Sequence, residues 1–229
     1  MSGQNFREID TSKEYTSGVF AKINNCYQTV KITSVEGTCP YGHTAGQTFK
    51  VTSMNSDGLC GSLYHSIYSF VAANQNGGAV PWEKQQGFFT AACPENGKVH
   101  VEVTRVDTDD GKMLRTRPPL KDMTGKGYAV LDRYRVKVEI LGVEHHCSWG
   151  HRPGQCHEID HFNIGNLCGC LYWGAYRFMD VLYGGGGLPW EGDANIVHGI
   201  CPDIYNQCSF RLIREERKPT TQKTAETGE

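Results

Sequence analysis

The chain has 229 residues, 38% hydrophobic and 21% charged, with a formal net charge of −2. This near-neutral balance leaves no electrostatic footprint for nucleic acid, and no run of about 18 apolar residues is present to span a membrane. The opening MSGQNFREIDTSKEYTSG has no apolar signal-peptide core, so the expected location is cytoplasmic, where ten cysteines point to metal ligation or thiol chemistry before disulfides.

Residues 1–29 read as a polar lead-in. Val30, Ile32 and Val35 then fall in a short β-type run. CPYGHTAGQ (39–47) is broken by proline and glycine and reads as a loop. FKV (49–51) suggests a second strand. GLCGSLYHSIYSFVAAN suggests a helix, with Leu63, Ile67, Phe70, Val71 and Asn74 at helical spacing. GGAVPWE is a loop, GFFTAA a third strand ending at a cysteine, and VHVEVTRV alternates as a fourth strand. Residues 108–133 carry proline, glycine and many charges and read as a linker.

The chain then repeats itself. Sliding it by 108 positions and comparing 30–94 with 138–202, without gaps, gives 24 identities in 65 positions. Val136, Val138 and Ile140 alternate like the first strand, and Leu171, Ala175, Phe178, Met179 and Leu182 fall at helical spacing. NIVHGI and CSFRLI match the third and fourth strands. An ungapped match of this length predicts a duplicated unit. The expected architecture is α+β: two tandem β-β-α-β-β repeats, 30–107 and 134–215, packed as a pseudo-two-fold dimer, with a disordered tail at 216–229.

The order C-x-x-G-H-x-x-G, a cysteine opening a helix, G-G…P-W-E and C-P-[DE] resembles a family of small prokaryotic proteins, usually one such unit long and without an established function. Both halves match over most of each repeat. Two departures stand out: members commonly carry Asp after the glycine where this chain has Gln47 and Gln155, and this chain is a tandem copy. The resemblance supports the domain division and implies no activity.

Each repeat keeps three cysteines and one histidine: Cys39, His43, Cys60 and Cys93, then Cys147, His151, Cys168 and Cys201. Three thiolates and one imidazole are a tetrahedral zinc set, with iron as the other metal such ligands take, and the C-x-x-x-H spacing lets one loop supply two ligands. Two other readings stand beside it: buried inert thiols, since cysteine packs well as a small hydrophobe, and reactive thiols. Cys60 and Cys168 open the predicted helices, where free N–H groups and the dipole stabilise a thiolate.

Glu83 and Glu191, after the repeated P-W, are candidate proton carriers, with a solvated loop glutamate as the plainer reading. Trp82 and Trp190 read as core anchors or pocket walls. Tyr64 and Tyr68, with Tyr172 and Tyr176, fall at i and i+4 on one helix face and read as packing, or as hydrogen-bond donors to a ligand where their hydroxyls point into a cavity. The glycine run 184–187 lacks a phosphate-loop signature and reads as a mobile loop.

Repeat two adds His145, His146, His157, His161 and His198, with Cys156, Cys170 and Cys208. A working site is therefore expected there, with Cys168 as metal ligand or thiolate, His151 as ligand or base, Glu191 as proton carrier, and the glycine run as its gate. The functions in competition are a metal-dependent hydrolase, lyase or isomerase acting on a small molecule, a metal-stabilised binding or interaction module, and a thiol redox protein. The last is weakened by the lack of C-x-x-C, its nearest feature being the C-G-C at Cys168 and Cys170.

Overall fold

The computed structural model describes residues 25–95, 98–108, 114–116, 132–144, 146–203 and 208–217. The alternating runs form strands and the 3.6-period runs form helices. Their order is β1 (Cys26–Val35), β2 (Thr48–Val51), α1 (Gly61–Gln75), β3 (Phe88–Ala92), β4 (Val99–Asp107), β5 (Tyr134–Val143), β6 (Cys156–Ile159), α2 (Gly169–Tyr183), β7 (Ile196–Ile200) and β8 (Cys208–Glu216). The chain thus makes two similar β-β-α-β-β units. Each has a four-stranded antiparallel sheet, ordered β2-β1-β4-β3 and β6-β5-β8-β7.

Strand β1 begins earlier than its apolar residues suggest. Cys26 and Gln28 pair with Asp107 and Arg105 of β4 and are buried, so the strand reaches into the stretch read as a lead-in. The buried polar Gln28 hides the alternation. Further along, Val30 and Ile32 with Val101 and Val103 turn inward, as do Leu63, Ile67 and Val71 of α1. Val136, Val138, Ile140, Leu171, Ala175 and Met179 do the same in the second unit. Each large apolar side chain removed from water contributes about 1.5–3 kcal/mol.

Both long ladders slip at the same place, between Ile32 and Ser34 and between Ile140 and Gly142. The loop after β1 is pinned to this bulge. The Ile32 amide donates to the Gln47 carbonyl (2.9 Å) and the Gly46 amide to the Ile32 carbonyl (2.8 Å), and Ile140, Gln155 and Gly154 repeat the pattern. Gly46 and Gly154 sit at φ of 90° and 83°, where a side chain is strained. The glutamines that follow these glycines brace the same turn. Gln47 Oε1 accepts from the Thr44 amide (3.1 Å) and Gln155 Oε1 from the Arg152 amide (3.0 Å).

The helices end in matching glycine caps. Gly78 and Gly77 donate to Ala73 and Asn74, and Gly186 and Gly185 donate to Val181 and Leu182. The glycine run therefore begins as a helix terminus. Arg214 fastens it further, its Nη1 donating to the carbonyls of Leu182 (3.1 Å) and Gly186 (2.8 Å). Arg105 occupies the matching place in the first unit, donating to the carbonyls of Asn74 and Gln75. A cation at a helix carboxyl end also complements the dipole.

The two helices touch through reciprocal contacts. Tyr64 stacks on Tyr172 with centroids 6.2 Å apart. His65 packs on Tyr176, and the equivalent Trp173 packs on Tyr68. Tyr64 donates to the Thr52 carbonyl (2.9 Å) and Tyr172 to the Asp160 carbonyl (3.0 Å). The first residue of each helix is glycine because the other unit lies close against it. The Gly61 amide donates to the His161 carbonyl (2.7 Å) and the Gly169 amide to the Met54 carbonyl (2.8 Å).

Candidate functional site

Cys39, Cys60 and Cys93 gather at the amino end of α1, and Cys168, Cys170 and Cys201 at that of α2. In each C-x-x-G-H segment the chain turns back on itself. The Gly42 amide donates to the Cys39 carbonyl (2.9 Å) and the Gly150 amide to the Cys147 carbonyl (2.8 Å), with φ of 73° and 94° at the glycines. The turn aims the following histidine at the helix start. His43 Nε2 accepts from the Cys60 amide (3.3 Å) and His151 Nε2 from the Cys168 amide (3.4 Å). A helix leaves its first amides without partners, and these imidazoles satisfy one of them. The role requires a neutral ring, and burial, helped by His157 and Arg115, pushes His151 down to about 4.

The thiols differ between the units. In the first, burial pushes the Cys60 thiol up to about 12, and Cys93 and Cys39 lie within electrostatic range of it. Cys93 is raised by burial and hydrogen-bonds the Ser62 side chain. In the second unit Cys170 stands where the first has Ser62. There Cys201 shares hydrogen bonds with both Cys168 and Cys170, and Cys170 with Tyr68. The Cys201 thiol is raised by its bond to Cys168, and Cys170 by its bond to Cys201 and by burial. Tyr68, Cys170, Cys201 and Cys168 thus lie in succession, each within interaction range of the next. The Leu171 amide also donates to Cys168 Sγ, at 3.4 Å.

Tyr68 belongs to α1, so the second unit's thiol chain is completed by the first unit. Tyr176 of α2 in turn lies within range of Cys60. Cys170 and Tyr68 were not among the residues read from the sequence as a site. The available signals were the C-G-C spacing and the change from Ser62 to Cys170 between repeats.

The other expected members lie elsewhere or have other work. Cys147 neighbours Cys208, whose thiol is pushed up to about 11 by burial and by Cys147. Glu191 accepts from the His198 amide (2.8 Å) and faces its ring at 2.9 Å. Glu83 likewise accepts from the Thr90 amide (3.0 Å) and hydroxyl (3.1 Å). Each glutamate ties its P-W-E loop to the neighbouring strand. Trp82 and Trp190 are exposed, at 65% and 71%, which corrects their reading as core anchors; Trp82 rests one edge on Phe70. The tryptophans sit at the outer corners of these loops, beyond the layer where helix and sheet meet.

The added histidines are dispersed. His161 stacks on Tyr41 and lies 3.1 Å from Asp180, His157 packs on His151, and His198 holds Glu191. His145 lies outside the described residues. Every described cysteine is a free thiol. Among the described residues, no group of three or more His, Cys, Asp or Glu side chains is arranged to hold a metal ion. His43 and His151 direct Nε2 at a backbone amide, which leaves that nitrogen unsuited to ligation. No helix among the described residues is long and apolar enough to cross a membrane. No protein-family model matches the chain, and no curated protein or solved structure does.

Proposed function

We propose that this protein is a thiol redox protein whose working site lies in the second unit, with Cys168 as the attacking sulfur and Cys201 as its resolving partner. The observation that supports this is the clustering of Cys168, Cys170 and Cys201 at the amino end of α2, where the Leu171 amide donates to Cys168 Sγ. The cluster places a second thiol within range of Cys168, as the resolving step of thiol–disulfide exchange requires. The substrate class is a small disulfide. The Cys168 thiolate attacks one of its sulfurs, the disulfide bond breaks, and the leaving thiolate takes up one proton. Cys201 then attacks the mixed disulfide, and the second leaving thiolate takes the other proton. Two protein thiols become one disulfide, and one substrate disulfide becomes two thiols.

The test is oxidation of the fully reduced chain in glutathione buffers of graded potential, with disulfides mapped by peptide mass spectrometry. The expected product is a Cys168–Cys201 disulfide, lost in Cys168→Ser and Cys201→Ser and kept in Cys60→Ser. A chain that forms no such disulfide, or that oxidises equally in both units, would overturn the reading.

A second reading is a zinc or iron site on the same sulfurs. It is favoured by the contact among Cys168, Cys170 and Cys201, which would exchange thiol protons for a soft cation after rearranging. Metal counted per chain after anaerobic purification separates the two. We also propose the pseudo-two-fold packing of the units, supported by the reciprocal tyrosine and glycine contacts, and membership of the small prokaryotic family that the motifs resemble.

A further inference from the structure

We propose that Cys147 and Cys208 form a second dithiol of the second unit, a relay that exchanges with the Cys168–Cys201 pair and carries its disulfide outward. This relay rests on the thiol redox reading and adds the route by which a reducing dithiol discharges the buried pair. Cys168 and Cys201 are 3% and 6% exposed and Cys208 is 3% exposed, whereas Cys147 is only partly buried. Of the four cysteines, Cys147 is thus the one open to a larger dithiol reductant.

In the β7–β8 ladder Ile200 pairs with Ser209, and at the next position the Cys201 amide donates to the Cys208 carbonyl (2.8 Å). Cys201 and Cys208 therefore stand directly opposite each other, and both are buried. Opposed residues of such a hydrogen-bonded pair have Cα atoms about 5.5 Å apart, inside the span of about 4.4–6.8 Å that a disulfide bridges. On its other side Cys208 pairs with Val143, the last residue of β5. Cys147 follows just beyond that strand end, within interaction range of Cys208.

The first unit has the same ladder without the relay. There the Cys93 amide donates to the Val99 carbonyl, also at 2.8 Å, and Val99 pairs with Val35 as Cys208 does with Val143. Val99 is buried, so the fold accepts an apolar side chain at this position and does not need a thiol there. The second unit also has Cys170 where the first has Ser62. Both added thiols stand beside Cys201, the counterpart of Cys93.

The exchange balances within the chain. The Cys208 thiolate attacks Cys201 Sγ of the Cys168–Cys201 disulfide. The Cys201–Cys208 bond forms, the Cys168–Cys201 bond breaks, and Cys168 leaves as a thiolate that takes up the proton given up by Cys208. Cys147 then attacks Cys208 Sγ, and Cys201 leaves and takes up the proton from Cys147. One disulfide and two thiols are present before and after, so the transfer needs no outside oxidant. A dithiol reductant reduces the Cys147–Cys208 disulfide by the same two steps, becoming a disulfide itself.

The experiment gives the fully reduced full chain a limiting amount of 2-hydroxyethyl disulfide, blocks free thiols by alkylation at successive times, and maps disulfides by peptide mass spectrometry. The disulfide should appear first between Cys168 and Cys201 and later be shared with Cys147 and Cys208. Cys147→Ser should stop the transfer at a Cys201–Cys208 disulfide. Cys208→Val, which installs the residue of the first unit, should hold the disulfide at Cys168–Cys201 and lower the amount recovered on Cys147 at least about tenfold. A Cys168–Cys201 disulfide that forms while Cys147 and Cys208 stay free at every time would overturn the relay and leave the thiol redox reading standing. A Cys147–Cys208 disulfide that forms as fast in Cys168→Ser as in the parent chain would also overturn it, because that pair would then be oxidised directly. No disulfide at any of the four cysteines would remove both readings.

Discussion

Replacing Gly169 by alanine should loosen the contact between the two units. Gly169 opens α2, and its amide is bonded to Met54 of the first unit. A Cβ at this position would overlap the Tyr64 hydroxyl and lie 2.7 Å from the Ser53 carbonyl oxygen and 3.0 Å from the Met54 carbonyl carbon. None of these can yield easily. Tyr64 is fully buried and holds the Thr52 carbonyl, and the backbone at 52–55 is closed by its own bridge. Overpacking costs about 1–3 kcal/mol, and displacing the tyrosine hydroxyl from its buried partner adds about 1–3 kcal/mol. Against this, alanine recovers at most about 1 kcal/mol of helix propensity. The net loss should be about 3 kcal/mol, or about 6–12 °C in Tm for a chain of this size. Thermal and urea unfolding followed by circular dichroism measures it. Gly192→Ala, where a Cβ meets nothing within 4 Å, is the control. Tyr64→Phe in the Gly169→Ala background should restore part of the loss, since the Ser53 carbonyl remains. A Gly169→Ala protein as stable as Gly192→Ala would refute the packing argument.

Acid should act through His151, whose value of about 4 lies below the ordinary imidazole range. The unfolded chain takes up its proton near pH 6.5 and the folded chain only near 4. The stability from this group is therefore complete above about pH 6.5 and falls by up to about 3 kcal/mol as the pH drops to about 4; His151→Gln should flatten urea midpoints across that window. Arg214→Met should cost about 1–2 kcal/mol in the same assay, because two helix-end carbonyls lose a charged donor while the aliphatic stem keeps its place. Glu191 is held below the usual carboxylate range by the His198 amide and ring. Its latch should persist at neutral pH and open only as the pH falls through that depressed value, and Glu191→Gln should speed hydrogen exchange at the His198 amide. Unchanged exchange in that variant would remove the latch from the account.

The duplication and nearly every element were legible in the chain because they rest on short-range regularities. Strands alternate with period two, helices repeat every three to four residues, and glycine marks the turns at Gly42, Gly46, Gly150 and Gly154 and the caps at Gly77 and Gly185. Those signals act within a few residues of themselves. The start of β1 was missed because Gln28 puts a carboxamide on an inward position. What the repeated groups do was settled by contacts between segments far apart in sequence. Sequence marks His43 and His151 as special, but only the returning loop makes them acceptors for a helix amide 17 residues away. Trp82 and Trp190 have core chemistry, yet their loop carries them outside the layer that helix and sheet bury. Tyr68 meets Cys170 only because two helices from separate units press together. Local pattern decides which elements form; burial and partnership depend on which surfaces meet, and in this chain those surfaces lie about a hundred residues apart.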